Sequence, residues 1–526
     1  MPYARRRRAR SRPESNRSGY NGLSSPGGHS TSLNAARRER ELAEVAETTV
    51  DVLVVGLGAT GAGAALDAAA RGLSVAAIDA NDLAFGTSRW SSKMIHGGLR
   101  YLARGQVGVA AESAAERGVL LARTAPHLVR AQPYLLPLTP QVSRRSAAAL
   151  MAGYRLGDAM RAAARTPRRL LPGPSRLDAA HALRLVPGLA PDDLRGALLS
   201  WDGRVVDDAR LVVAIARTAA GYGARVLTRC RATELRADGA VARDELSGEP
   251  LTIRARAVIN ATGVWAATLD PSISLRPSRG THLVLGPETL PHSRIGMHVP
   301  IPGERDRFVL VLPQPDGRVH VGLTDEPVEG PVPDVAEVPE SDVAFLLDVL
   351  NSVLAEPVGR SQVAGTYAGL RPLLAGDGRT ADLSRRHAVL TSPEGIVTVI
   401  GGKLTTYRRM AEDAVDRAVA LRSLQAGPSP TARLSLVGAA SGAVQGPWRL
   451  VERYGAEAPA VQALAEADPA LAEPVGPGVI AAEFAWGARH EGALDAADLL
   501  DRRTRVGLVP ADREAALPAA VAVMSG

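Results

Sequence analysis

Apolar residues follow two rhythms along this chain. Unbroken apolar runs, the mark of parallel strands buried on both faces, cover 52–55, 73–78, 255–259 and 396–400. Between and after them apolar positions return at helical spacing. An Ala-rich stretch over 59–70 is closed by Arg71-Gly72, and a segment over 109–123 is stopped by Pro126. Others start at Asp207-Asp208 and end at Gly221, cover 343–354, or end near Leu421. Shorter strands are predicted at 134–138 and 225–228. Residues 276–330 read differently. Runs at 281–285, 308–312 and 319–322, with turns at Pro315-Asp316-Gly317 and Thr324-Asp325, predict an antiparallel sheet. After Pro428 the pattern is mostly helical, and no repeat is visible.

The joints between these elements carry the chemistry. The first run leads into Gly56-Leu57-Gly58-Ala59-Thr60-Gly61, then the Ala-rich helix, then a strand ending on Asp79. This order of strand, glycine turn, helix, strand and acid is a dinucleotide-binding fingerprint. Gly56 permits the turn, Gly58 admits a pyrophosphate and Gly61 lets helix and strand pack closely. The helix N-terminus offers N–H groups to phosphates, and Asp79 stands where a carboxylate accepts from ribose hydroxyls. A Gly/Ser/Thr-rich loop over 85–98 follows, carrying Lys93 and His96 and leading to Arg100-Tyr101. Loops of that length inside a compact domain are usually functional. The strand ending in Ala261-Thr262-Gly263 is a second place where backbone can pass close to a dinucleotide. Gly401-Gly402-Lys403 aims a positive helix start beyond the last apolar strand, and Arg371 precedes Pro372 in a constrained turn.

Composition narrows the class. A chain of 526 residues holds two or three domains, and Cys230 alone excludes an intrachain disulfide or a cysteine-ligated cluster. No apolar run is long enough to span a membrane and the N-terminus lacks a secretory apolar core, so a soluble, intracellular chain is expected. The net charge of +7 belongs to the first 40 residues, whose ten Arg and two Glu predict a disordered tail rather than a nucleic-acid site. Residues 143–175, rich in Arg and Ala, read as a basic helix for a membrane surface or an Arg-coated surface helix. Only Lys93 and Lys403 are lysines among 62 basic residues. Lys403 directly follows Gly401-Gly402 and Lys93 stands shortly before Gly97-Gly98, which suggests places where a compact ammonium is needed and a planar guanidinium does not fit, chance survival being the alternative.

Taken in order, DVLVVGLGATGAG, SSKMIHGGLRYL, APHLV, DGRVVDDARL, VINATGVWA, SRGTHLVL, GLTDEP, YAGLRPLL, GGKLTTYRRMAE and ARHEGALDAADLLDRRTR closely resemble the FAD-dependent, quinone-linked glycerol-3-phosphate dehydrogenases. The resemblance runs from about residue 50 to 510. Leu57 stands where that family usually has a third glycine, Asp79 where it has Glu and Arg279 where it often has Lys.

The resemblance implies an α/β fold: a Rossmann-like FAD-binding domain of the D-amino-acid-oxidase-like class with an antiparallel substrate-covering sheet and a helical C-terminal domain. The expected layout is a disordered basic tail over 1–48, an oxidoreductase domain over 49–430 and a helical domain over 431–526. Within the middle unit, FAD-binding parts are expected at about 49–140, 200–275 and 360–425, and the substrate cover at about 276–360. The implied reaction takes sn-glycerol 3-phosphate to dihydroxyacetone phosphate, with FAD passing electrons to quinone. An oxidase using oxygen, a flavoenzyme for another hydroxy or amino acid, and a flavin-binding interaction protein are the alternatives. By resemblance, His282 is the general base, Arg371 and Lys403 join it in catalysis, and Arg100, Tyr101, Arg371 and Arg385 hold the substrate. FAD would be held non-covalently by Gly56, Gly58, Thr60, Gly61, Asp79, Thr87, Ser88, Ser92, Lys93, Gly98, Ala261, Thr262, Gly263, Gly402, Lys403, Thr405 and Thr406. No metal and no nucleic acid is expected. Peripheral contact with the inner face of the cell membrane is implied, and a homodimer is compatible with it.

Overall fold

The four apolar runs lie side by side. In the computed structural model, which describes residues 27–98, 101–102, 105–291, 294–304, 307–375, 386–440 and 442–525, they form Thr49–Val55, Val75–Ile78, Pro250–Asn260 and Val397–Ile400. The parallel order is Val397–Ile400, Pro250–Asn260, Thr49–Val55, Val75–Ile78, Arg225–Leu227. Their continuous apolar character follows from burial on both sides. Val52 and Val54 face helices, while Leu53 and Val55 face a layer that includes Ala240, Ala242 and Val45.

The helix Ala59–Ala70 is sandwiched between helices Asp208–Gly221 and Tyr407–Arg422. Small side chains allow that double contact, and alanine is the best helix former. Asp207 caps the second of these helices by accepting from Ala209 and Arg210 backbone N–H groups.

A second sheet has Ser278–Leu285 paired antiparallel with both Val319–Gly322 and Val363–Arg371. Side chains alternate across it. Leu283, Leu285, Val309 and Val311 pack on Leu346 and Leu350 of the helix Glu340–Asn351. The opposite face carries Gly280 and His282, beside Tyr367, Gly369 and Arg371 of the neighbouring strand.

The C-terminal region is helical, with Trp448–Tyr454, Ala458–Ala467, Ala481–His490 and Pro510–Ser525 around small cores of their own. Buried ion pairs fasten it to the parallel sheet. Asp82 takes Arg502 at 2.6 Å and both outer nitrogens of Arg503 at 2.7 and 2.8 Å. Arg210 holds Glu491 at 2.6 Å, and Arg217 holds Glu457 at 2.6 Å.

Two expectations change. The tail expected over 1–48 includes a helix, Ala35–Glu47, capped by Asn34 and burying Arg38, Glu41 and Val45. Two of its arginines are engaged within the fold: Arg37 pairs with Glu41 at 2.7 Å, while Arg38 pairs with Asp244 and donates to the Thr228 carbonyl at 2.7 Å. Residues 1–26 lie outside the described part. The basic stretch over 143–175 is a helix only over Arg144–Ala163. It buries Ala147, Tyr154 and Arg161 and leaves Leu156 50% exposed. No described helix is long and apolar enough to cross a membrane.

The Asp82 cluster should dominate the attachment of the C-terminal helices. Burial would raise its carboxyl pKa, but Arg503 and Arg502 outweigh burial and hold it far below the ordinary value. Its contribution is therefore present above about pH 4 and lost only in strong acid. Asp82→Asn leaves the buried Arg503 guanidinium without its carboxylate and Arg502 with Asp498 alone, and should cost roughly 3–5 kcal/mol in urea unfolding at pH 7. A loss under 1 kcal/mol would show that the helices are held by apolar contact alone.

Candidate active site

Three strand ends meet at one crevice. Thr49–Val55 runs out at Gly56, Pro250–Asn260 at Ala261-Thr262-Gly263, and Val397–Ile400 at Gly401-Gly402. All three turns line a cleft of about 470 Å³, within the usual range of small-molecule sites. It opens at the carboxyl ends of parallel strands, where such sheets bind ligands.

The fingerprint turn is built by missing side chains. Gly56 has φ +100°, and a Cβ there would lie 2.7 Å from the Ala261 carbonyl oxygen. A Cβ on Gly61 would lie 1.7 Å from the Gly56 oxygen. Gly61 therefore sets helix against strand and does not line the cleft. Helix Ala59–Ala70 starts at Gly58 with no side-chain cap on its first turn apart from Ser88, whose Oγ accepts from Ala59 N–H at 2.8 Å. Thr60, Thr87 and Ser88 complete this wall. Asp79 lines the far end, but its oxygens already accept from Leu57 N–H at 2.7 Å and Asn81 N–H at 2.8 Å. Burial raises its pKa against those bonds. The shorter acid thus braces the turn as well as facing the cleft.

The antiparallel sheet supplies the opposite wall. His282 and Arg371 both face the cleft, because alternation puts them on one side of paired strands. Glycines clear their space: a Cβ on Gly280 would lie 2.2 Å from Arg371 Nη2, and one on Gly322 would lie 2.3 Å from His282 Cδ2. His282 Nε2 is 2.8 Å from Ser92 Oγ, and its ring stacks on Tyr367 with centroids 4.7 Å apart. Burial, then the nearby Lys93 and Arg371 charges, pull its pKa down to about 3. The imidazole is therefore neutral at any working pH. Arg371 donates to Asp325 at 3.2 Å, Ser278 Oγ at 3.2 Å and the Thr324 carbonyl at 3.2 Å, and its fork still borders the cleft.

Lys403 lies at the helix start beyond Gly401-Gly402. Its ammonium donates to Ser113 Oγ and sits 4.2 Å from the centroid of the Tyr101 ring. Lys403, Tyr101, Gly402 and Thr405 line the cleft with Ser92.

Besides Gly61, three residues expected to hold the cofactor lie outside the cleft lining. Lys93 turns away through a left-handed backbone, φ +56°, and is buried behind the cleft, 3.3 Å from Asp208. Gly98 lies beneath the Tyr101 ring, outside the cleft lining. Thr406 is buried in the first turn of the helix, its hydroxyl 3.3 Å from the Lys403 carbonyl. Arg100 and Arg385 lie outside the described residues.

Two residues of the site escaped the sequence reading. Asp208 accepts from Ser91 N–H at 2.9 Å and Oγ at 2.7 Å, and Tyr367 supports His282. The Asp207-Asp208 doublet was a usable signal, since only one acid can cap a helix. Tyr367 could have been found by counting back in twos from Arg371.

Comparison with known proteins agrees with this geometry. Residues 51–408 match the family described as FAD dependent oxidoreductase, and residues 426–526 match the C-terminal domain of alpha-glycerophosphate oxidase. The chain is 51% identical over 501 residues to glycerol-3-phosphate dehydrogenase 1 of Mycobacterium tuberculosis, covering 92% of this chain and 97% of that one. It is 34% identical over 540 residues to the mitochondrial glycerol-3-phosphate dehydrogenase of Rattus norvegicus, covering 93% and 72%. The X-ray structure of the glycerol-3-phosphate dehydrogenase from Bacillus halodurans complexed with FAD superposes with a TM-score of 0.73 at 26% identity, covering 94% of each chain. The cleft fits the cofactor such enzymes carry, with a helix start free for a pyrophosphate, backbone bared at Gly56 and Gly58, and a lysine over the third strand end. The chain belongs to the FAD-dependent oxidoreductases, and among them to the glycerol-3-phosphate dehydrogenases.

Proposed function

We propose that this enzyme oxidises sn-glycerol 3-phosphate to dihydroxyacetone phosphate and delivers the electrons to a quinone. The observation that carries the reading is the pairing of Arg371 and His282 on one face of the antiparallel sheet, opposite the fingerprint turn. A phosphate dianion needs a fixed guanidinium, and Arg371 offers one with its orientation already set by Asp325 and Ser278. His282, neutral and facing the cleft, takes the proton of the C2 hydroxyl. FAD, when bound, supplies the acceptor for the C2 hydride. Gly56, Gly58, Thr60, Asp79, Thr87, Ser88, Ser92, Ala261, Thr262, Gly263, Gly402, Lys403 and Thr405 are the residues to hold it. The Lys403 charge favours the electron-rich reduced ring. Tyr101 and the arginines Arg100 and Arg385 remain the further substrate contacts in this proposal.

The quinone reading is tied to a membrane surface. Helices Val107–Val119 and Arg144–Ala163 pack together, and each exposes an apolar side chain, Val107 at 56% and Leu156 at 50%. With Arg144, Arg145 and Arg155 on the second helix, this corner suits peripheral contact with anionic lipid.

The test is direct. Purified enzyme should bleach on anaerobic addition of glycerol 3-phosphate and recolour with a short-chain quinone. Faster recolouring by oxygen, with stoichiometric peroxide, would make it an oxidase. Arg371→Ala should lose roughly 2–5 kcal/mol of substrate binding, a KM raised at least about thirtyfold. Turnover of glycerol should not fall. Equal weakening of glycerol would place the phosphate elsewhere. Glycerol also isolates the base, because it has no phosphate to titrate. With His282 neutral above about pH 3, kcat/KM for glycerol should stay flat from pH 8 to 5. A tenfold fall per pH unit below 6.5 would instead show that the base titrates as an ordinary imidazole and that burial does not hold His282 neutral.

A further inference from the structure

A second cavity, of about 120 Å³, lies between the C-terminal helices and the face of the antiparallel sheet that carries His282, further along the strands at Val284 and His320. It shares no lining residue with the catalytic cleft. Arg318 and His320 border it from the sheet, and Trp448, Arg449 and Arg505 from the C-terminal side. We propose that it is a binding site for a small phosphate-type anion.

Arg505 is the reason. Its side chain is buried, at 7% exposure, yet no carboxylate pairs with it among the described residues. Two of its nitrogens donate to backbone carbonyls, Asp501 at 2.6 Å and Arg89 at 2.6 Å, and Nε has no acceptor. Arg210, Arg217, Arg502 and Arg503, buried to the same degree, each hold a carboxylate. Its guanidinium carbon lies 5.1 Å from the Trp90 ring centroid, and Asp208, whose field it shares with Lys93, does not pair with it; a desolvated charge with no carboxylate in contact is costly, so a cavity beside it invites an anion. Arg449 at the mouth is likewise without an acidic partner among the described residues.

The acids that line the cavity are engaged elsewhere. Asp207 caps a helix through Ala209 N–H at 2.8 Å, Asp316 accepts from Arg318 N–H at 3.1 Å, and Glu452 pairs with Arg204 at 3.0 Å. The volume suits phosphate or a short phosphate ester and is too small for a nucleotide. Trp448, 59% exposed, stands at the rim.

The place has a consequence for the catalytic cleft. Lys93 and His320 line this cavity, and both touch Tyr367: the Lys93 ammonium 5.2 Å from its ring centroid and His320 Nδ1 3.3 Å from its hydroxyl. Tyr367 stacks on His282. An anion here sits beside the imidazole with Tyr367 between them, where its field favours the protonated form.

Inorganic phosphate titrated into flavin-loaded Arg371→Ala enzyme, followed by calorimetry, tests the site with the cleft's main phosphate contact removed, and dependence on Arg449 separates it from what remains of the cleft. One saturable site per chain is expected. Adding Arg449→Ala should weaken it at least tenfold, and Arg449→Lys should restore part of the loss, with flavin absorbance and far-UV circular dichroism unchanged. No saturable binding in Arg371→Ala, or binding indifferent to Arg449, would overturn the proposal.

Discussion

A guanidinium withdrawn from water must meet a carboxylate or a set of carbonyl oxygens, and this constraint organises the molecule. All but two of its 62 basic residues are arginine, and many are inside. Several of the buried pairs join segments far apart in sequence. Arg38 and Asp244 tie the first helix to the hairpin beside the parallel sheet. Arg408 and Glu116 tie the last long helix of the FAD-binding unit to Val107–Val119. Arg117 and Asp202 fix the Gly97-Gly98 loop, since Asp202 also accepts from Gly97 N–H at 3.0 Å. Asp82, Glu491 and Glu457 dock the C-terminal helices. Such pairs add little over apolar packing, but breaking one strands a charge, so they enforce one arrangement of the parts.

The two lysines are used where a fork would not serve. Each ammonium lies against a tyrosine ring, Lys93 on Tyr367 and Lys403 on Tyr101, and each also meets a compact partner, Asp208 or Ser113. A point charge with rotatable donors satisfies a ring face and an oxygen together, whereas a planar guanidinium stacks or forks. The sequence singled out both positions as places for a compact ammonium. It assigned Lys93 the wrong neighbour, because a left-handed residue before the short strand Met94–Ile95 turns its side chain out of the loop's main course.

The legible part of the fold was the part written in local pattern. The strand, glycine turn, helix and acid were readable because each step is a short-range signal, and the observed helix Ala59–Ala70 has the expected ends. The helix over 35–47 was hidden by its charge. Arg38, Glu41 and Val45 make a helical stripe at spacings of three and four, yet the first two look solvent-facing until Asp244 and the Val226 N–H are in place. Asp208 and Tyr367 were hidden by distance, since their partners lie more than a hundred residues away or on a different strand. His282 was placed in the cleft by resemblance. Its environment, a stacked tyrosine and two flanking cations, exists only in three dimensions.

That environment bears on how the proposed reaction would be controlled. Burial together with Lys93 and Arg371 makes His282 a poor base in the resting site. A substrate phosphate beside Arg371 brings negative charge that offsets those cations, and an opposite charge nearby favours the protonated imidazole. The same contact that binds the substrate would then strengthen the base that deprotonates it. Remote binding energy is thereby converted into reactivity at C2, which is how a non-reacting group can raise turnover rather than affinity alone. Glycerol, lacking the phosphate, would be held weakly and also meet a weak base. Selectivity in this scheme comes from one guanidinium whose place is cleared by a glycine on the neighbouring strand, Gly280, and whose aim is set by Asp325.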